Sequence, residues 1–167
     1  NSKGTDAAVS AANAAVIASQ KHLPLLYVEE DGVPSETAGV FTGLGVTSVI
    51  FVERGGIGSA VRDKLPTIEK DLKTMEEIVD YIKADPFSED YITITSLKTG
   101  VGQAAAGAML GAYHGSPVLR IEEAPGNPAG IANTIETYMR WDGDYYHGER
   151  SMGHFARADA PVYRGFN

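Results

Sequence analysis

An internal duplication constrains this chain more than any other feature. Residues 8–30 read AVSAANAAVIASQKHLPLLYVEE and residues 101–123 read VGQAAAGAMLGAYHGSPVLRIEE, so Pro24 and Pro117 correspond with a shift of 93, and seven of 23 positions are identical. Differences such as Ile17 against Leu110 and Val28 against Ile121 keep apolar character. Each copy is an Ala-rich run, a proline, a short apolar stretch and two glutamates. A repeated segment defines the unit that folds, and it has to be recognised before a fold class is argued.

The Ala-rich run from Asp6 to Gln20 favours a helix through alanine's high propensity, and its small side chains allow close packing on a neighbour. Thr5 or Asp6 could cap it. Pro24 blocks helical continuation, and Leu25–Val28 is apolar without alternation, as expected of a strand covered on both faces. Ser35 reads as the cap of a helix through Phe41, stopped by Gly43 and Gly45. Val46–Val52 is β-branched and reads as a second strand, followed by the turn Glu53-Arg54-Gly55-Gly56-Ile57-Gly58 and a helix from Ser59 to Leu65. In Thr74–Lys83, Met75, Ile78, Val79 and Ile82 have helical spacing behind a Thr74 cap. Tyr91–Ser96 alternates as a strand, the second Ala-rich helix follows, then a strand at Val118–Ile121 and a helix over Asn127–Trp141.

Strands alternating with helices predict an α/β protein: an open, mainly parallel sheet flanked by helices in Rossmann-like or flavodoxin-like layers, made of tandem units. The expected divisions are a first unit over 1–73, a second, incomplete unit over 74–141, and an aromatic-rich tail or join to a following domain over 142–167. With 167 residues and 43% hydrophobic content the chain can bury one ordinary core or two small ones. No apolar run approaches the roughly 18 residues of a membrane span. A start at Asn1 with no apolar leader suggests a piece of a longer protein. The net charge of −8 argues against non-specific binding to nucleic acid. The chain has no cysteine, which removes disulfides, thiol nucleophiles and thiolate metal sites together.

In motif order the chain resembles the cell wall binding repeat type 2 family. The residues that carry the likeness are Ala8-Val9-Ser10-Ala11-Ala12, Pro24-Leu25-Leu26, Val33-Pro34-Ser35-Glu36-Thr37, Leu44-Gly45-Val46-Thr47-Ser48-Val49, Gly55-Gly56 and Asp71-Leu72-Lys73-Thr74, within residues 6–141. Departures include Glu53-Arg54 where the family is apolar or small, and a second copy without the second strand and its glycine turn. The resemblance implies a non-catalytic cell-surface module, extracellular or in the cell wall, that binds an anionic envelope polymer or contributes to a surface layer. The incomplete second unit leads to the expectation of self-association with other repeats.

Several groups are candidates for chemistry. A glycine turn between strand and helix presents backbone N–H groups that can cradle an anion, although a tight turn is the more ordinary use of such glycines. Val61 stands where a dinucleotide fingerprint needs its third glycine, and no P-loop lysine follows. The polymer or anion candidates are therefore Arg54, Gly55, Gly56 and Gly58 at the turn, with Pro24, Leu25, Leu26 and Tyr27, and Pro117, Val118, Leu119 and Arg120, on the Pro-led segments. Physically these segments read as core, with Tyr27 and Arg120 facing a crevice. Glu29-Glu30 and Glu122-Glu123 stand at expected strand ends, where open sheets place ligands, and supply the alternative of a hydrolase or transferase acting on a sugar or phosphate. Asp142, Asp144 and His147 have oxygen-ligand spacing that suits Ca²⁺, giving a further alternative of a metal-stabilised structural domain. No serine-nucleophile elbow or zinc-protease motif is present.

Overall fold

In the computed structural model, residues 2–89, 91–95, 97 and 101–120 are described. The order is α1 (Ser2–Lys21), α2 (Ser35–Gly43), β1 (Ser48–Val52), α3 (Ser59–Arg62), β2 (Thr67–Leu72), α4 (Met75–Lys83), β3 (Thr93–Thr95), α5 (Gln103–His114) and β4 (Val118–Arg120). The protein is mixed helix and strand, and the strands pair as two parallel two-stranded sheets, β1 with β2 and β3 with β4. Among the described residues no helix is long and apolar enough to cross a membrane.

The two Ala-rich runs form α1 and α5, and their mutual contact is the most extensive between any two elements. Small residues make this possible. A Cβ added at Gly111 would lie 2.8 Å from Val16 Cγ2, 2.8 Å from Val118 Cγ2 and 2.9 Å from the Ser116 carbonyl oxygen. Gly107 also faces Val118 and Thr95, less tightly, with an added Cβ 3.1 Å from Val118 Cγ1 and 3.4 Å from Thr95 Cβ. The buried arc of α1 consists of Val9, Ser10, Ala12, Asn13, Val16, Ile17 and Gln20. One hydrophobic cluster joins Val9 and Val16 of α1 to Leu72, Met75, Ile78, Val79, Ile82, Ile92, Val118 and Leu119, so residues on both sides of position 73 pack into a common core.

The amphipathic pattern of α4 is realised as its spacing predicts: Met75, Ile78, Val79 and Ile82 are buried. Thr74 Oγ1 accepts from the Glu77 N–H at 3.1 Å, and Glu77 Oε2 accepts from the Thr74 N–H at 2.9 Å, a reciprocal capping box. Both Ala-rich helices leave through a left-handed residue, His22 (φ 54°) in the first copy and Gly115 (φ 58°) in the second, and these positions correspond under the shift of 93. The same backbone state is reached even though one residue is a histidine, one of the few side chains that enter this region readily.

Asn13 is fully buried on α1 and treats β4 as a strand would. The Thr93 N–H donates to the Pro117 carbonyl, so the Val118 backbone faces the opposite edge of β4. There Asn13 Oδ1 accepts from the Val118 N–H at 2.8 Å, while Asn13 Nδ2 donates to the Val118 carbonyl at 2.9 Å and to the Val9 carbonyl at 2.9 Å. A side-chain amide has the same donor and acceptor as a peptide group, and it satisfies an edge that is otherwise buried.

Sequence and structure part at two strands. Leu25–Val28, expected as a strand, belongs to no strand ladder, and Leu25, Leu26 and Val28 are half-buried. Apolar content does not make a strand without a partner for its N–H and C=O groups, and β1 pairs instead with β2. That strand is not read from sequence, because Glu69, Lys70 and Asp71 interrupt its apolar pattern; Leu72 is its one buried residue, with Ile68 and Asp71 half-buried. The ladder slips between Val49 and Ile50, which leaves Glu69 without a register partner. The remaining differences are at boundaries. α1 begins before Thr5 and Asp6 rather than being capped by them, and the residue before α2 is Pro34, with Ser35 inside the helix bonding Glu36.

At the far end of α1, Lys21 Nζ donates to Asp85 Oδ2 at 2.6 Å, and the Phe87 N–H donates to Asp85 Oδ1 at 2.9 Å. Lys21's hydrogen bond, followed by that of the Phe87 amide, holds the Asp85 carboxyl below its ordinary range. A carboxylate with a depressed folded-state pKa adds stability that is complete above the unfolded value of about 3.9 and is lost as pH falls through the folded value beneath it. We expect Asp85→Asn to be less stable than the wild type near neutrality, with the gap closing below about pH 4. Thermal unfolding across pH checks this, and a gap that stays constant into acid would contradict it.

Candidate binding cleft

The segment Pro24–Val28 and α1 both line one cavity. Between them lies a cleft of about 530 Å³, floored by β1, walled by the Ala7, Ala11, Ala14 and Ala18 face of α1, and roofed by Leu25, Leu26, Tyr27 and α2 residues Val40 and Phe41. Thr37 holds the roof in place: it is buried, and its Oγ1 donates to the Tyr27 carbonyl at 2.8 Å. The threonine that closes the Val33-Pro34-Ser35-Glu36-Thr37 motif therefore positions the Pro-led segment. Tyr27 itself is 58% exposed at the rim.

One end of the cleft is polar. Glu53, Arg54, Gly55 and Ile57 line it, directly after β1. The Arg54 N–H donates to Ser10 Oγ at 3.0 Å, which ties the turn to the first turns of α1. Beside it, Asp6 Oδ1 stands 4.0 Å from Arg54 and 3.5 Å from Arg120, and Arg120 also donates to Thr5 Oγ1 at 2.6 Å. The arginines that follow β1 and end β4, one from each half of the chain, thus converge on a carboxylate near the start of α1. Sequence reading names both arginines but treats Asp6 only as a helix cap, because nothing local shows that a helix start will meet two strand ends.

The glycine turn is filled from within. Glu53 Oε2 accepts from the Gly56 N–H at 2.7 Å and from the Ile57 N–H at 3.1 Å, and Gly56 takes a left-handed φ of 77° to present its amide. Glu53 is buried and its other oxygen lies 3.5 Å from Arg62, which also pairs with Asp71 and stacks 5.1 Å from the Phe51 ring centre. The amides proposed as an anion cradle therefore hold the chain's own carboxylate. A glutamate two residues before a pair of glycines is the sequence signal for this arrangement.

The other candidates separate. Pro117, Val118 and Leu119 are buried packing residues, whereas Pro24, Leu25, Leu26 and Tyr27 line the cleft. Gly58 is exposed and precedes α3. Glu29 and Glu30 are exposed in a turn closed by the Glu29 N–H and the Gly32 carbonyl at 2.9 Å. Glu122, Glu123, Asp142, Asp144 and His147 lie outside the described residues. Among the described residues no cluster of three or more histidine, aspartate or glutamate side chains is placed to hold a metal. Comparison with protein-family models, with curated proteins and with solved structures gave no match to this chain.

Proposed function

We propose that this chain is a non-catalytic binding module for a cell-envelope polymer, working at the cell surface as part of a larger protein or a surface layer. The observation that carries the reading is the cleft, which brings the Pro-led segment 24–27 and the Arg54 turn into one concavity although they are far apart in sequence. Its chemistry suits a sugar polymer with acidic groups: apolar walls for ring faces, an exposed tyrosine at the rim for stacking, and at one end Arg54, whose guanidinium stands 4.0 Å from Asp6 and would be shared with an acidic group of the polymer. Under this reading the two parallel strand pairs are parts of a larger, mainly parallel α/β array of tandem units, and the aromatic residues after Trp141 belong to a join with a neighbouring domain.

The test is retention of the protein on purified envelope polymer, against an unrelated domain of similar negative charge. Retention should exceed the control, and both Tyr27→Ala and Arg54→Ala should weaken it about ten-fold or more, the range expected for losing a stacking contact or a hydrogen bond to a charged group. Tyr27 serves as the cleaner probe because it is exposed. Retention equal to the control would sink the reading.

A further inference from the structure

The two copies of the repeat use their Ala-rich helices in inverted ways. Positions buried in α1 have exposed counterparts in α5 under the shift of 93: Ala12 and Ala105, Asn13 and Ala106, Val16 and Met109, Ile17 and Leu110, Gln20 and Tyr113. The buried positions of α5, Ala104, Gly107 and Gly111, correspond to Ala11, Ala14 and Ala18 of α1, which are half-buried and line the cleft. On a helix of 3.6 residues per turn, the exposed positions of α5 fall on one continuous arc. That arc is a core-type surface facing solvent, with Met109 76% exposed, Leu110 57% and Tyr113 82%. Three large apolar side chains clustered on one exposed face are a mark of an interaction surface.

From this we infer that α5 is a dimerisation helix, and that a second copy of the same chain covers its exposed arc in an antiparallel pairing about a two-fold axis near Met109. Two observations favour a second copy over another partner. The helix QAAAGAMLGAYH contains no aspartate, glutamate, lysine or arginine, so two chains of net charge −8 meet there without apposing like charges on the pairing helices. The arc is also self-complementary, since a two-fold axis sets the small Ala105 and Ala106 end of one copy against the bulky Leu110 and Tyr113 end of the other. The paired helices overlap over about 18 Å, the length of twelve residues at 1.5 Å each. This inference deepens the self-association expected from the repeat. It does not involve the cleft, so polymer retention and dimerisation fail separately.

Sedimentation equilibrium of the full chain over a concentration series tests it. The wild type should dimerise, and Met109→Glu should weaken the dimer at least 100-fold while leaving the far-ultraviolet circular dichroism spectrum unchanged. Because the chain has no cysteine, Met109→Cys provides a single reporter that should form a disulfide between copies under mild oxidation. A wild type that is monomeric at every concentration would overturn the inference, as would a dimer indifferent to Met109→Glu or one in which the Met109→Cys variant fails to cross-link. Protection of the introduced thiol from thiol reagents in a monomeric sample would show another part of the chain on this face, and would overturn it as well.

Discussion

Asn13→Leu is expected to lower the stability of the fold by about 3 kcal/mol or more, although the side chains are similar in size. The wild-type amide makes three buried hydrogen bonds, two of them to the Val118 backbone. Leucine leaves the Val118 N–H and C=O on a dry edge, and each buried unsatisfied group costs about 1–3 kcal/mol. The added apolar surface offsets part of that loss, since a methyl-sized gain contributes about 1 kcal/mol. Urea unfolding should show a midpoint lower by about 1 M or more at an unchanged slope. Asn13→Asp separates geometry from chemistry: it keeps an acceptor for the Val118 N–H but turns a carboxylate toward the Val118 and Val9 carbonyls. Stability within about 0.5 kcal/mol of wild type for both variants would show that Val118 finds other partners.

The second large effect is expected at Gly111. Alanine in a helix interior is intrinsically better than glycine by about 1 kcal/mol, so propensity alone favours substitution. Packing decides otherwise, because the new Cβ would sit 2.8 Å from Val16 and Val118 side chains and 2.9 Å from a backbone oxygen that cannot rotate away. Gly111→Ala should therefore destabilise despite its propensity, and Gly111→Val, with two further methyls and a stiff β-branched χ1, should cost about 3 kcal/mol or prevent folding. Thermal unfolding of the alanine variant is the sharper measurement, since a melting temperature above wild type would mean that α1 and α5 can separate freely at this point.

What the sequence reveals follows the range of the interactions involved. α4 is legible because its cap and its apolar spacing both lie within ten residues of Thr74. The duplicated helices are legible as helices, but which face each buries is not, since Val16 meets Gly111 only through the tertiary fold. Asn13 is a plain polar residue in an alanine run until Val118, 105 residues away, becomes its partner. β2 is obscured by Glu69, Lys70 and Asp71, because a half-exposed strand tolerates charges that break the apolar pattern. The cleft is legible in its parts, Pro24–Tyr27 and Arg54–Gly55, and not as a cleft, since segment 24–28, α1 and the turn after β1 meet only through the tertiary fold. Glu53 reads from sequence as an irregular charge before a glycine turn, and the structure gives it the task of filling that turn.

The matched left-handed exits at His22 and Gly115 bear on what makes a segment a strand. Both helices end in the same backbone state and pass through a proline into a short segment, yet Val118–Arg120 becomes β4 while Leu25–Tyr27 lies in no ladder. Being a strand is then not a property inherited with the residues. It is conferred by a neighbour, which β3 supplies to Val118–Arg120 and which no described residue supplies to Leu25–Tyr27. The two segments share a way of leaving the helix, and local company determines what the chain becomes afterwards.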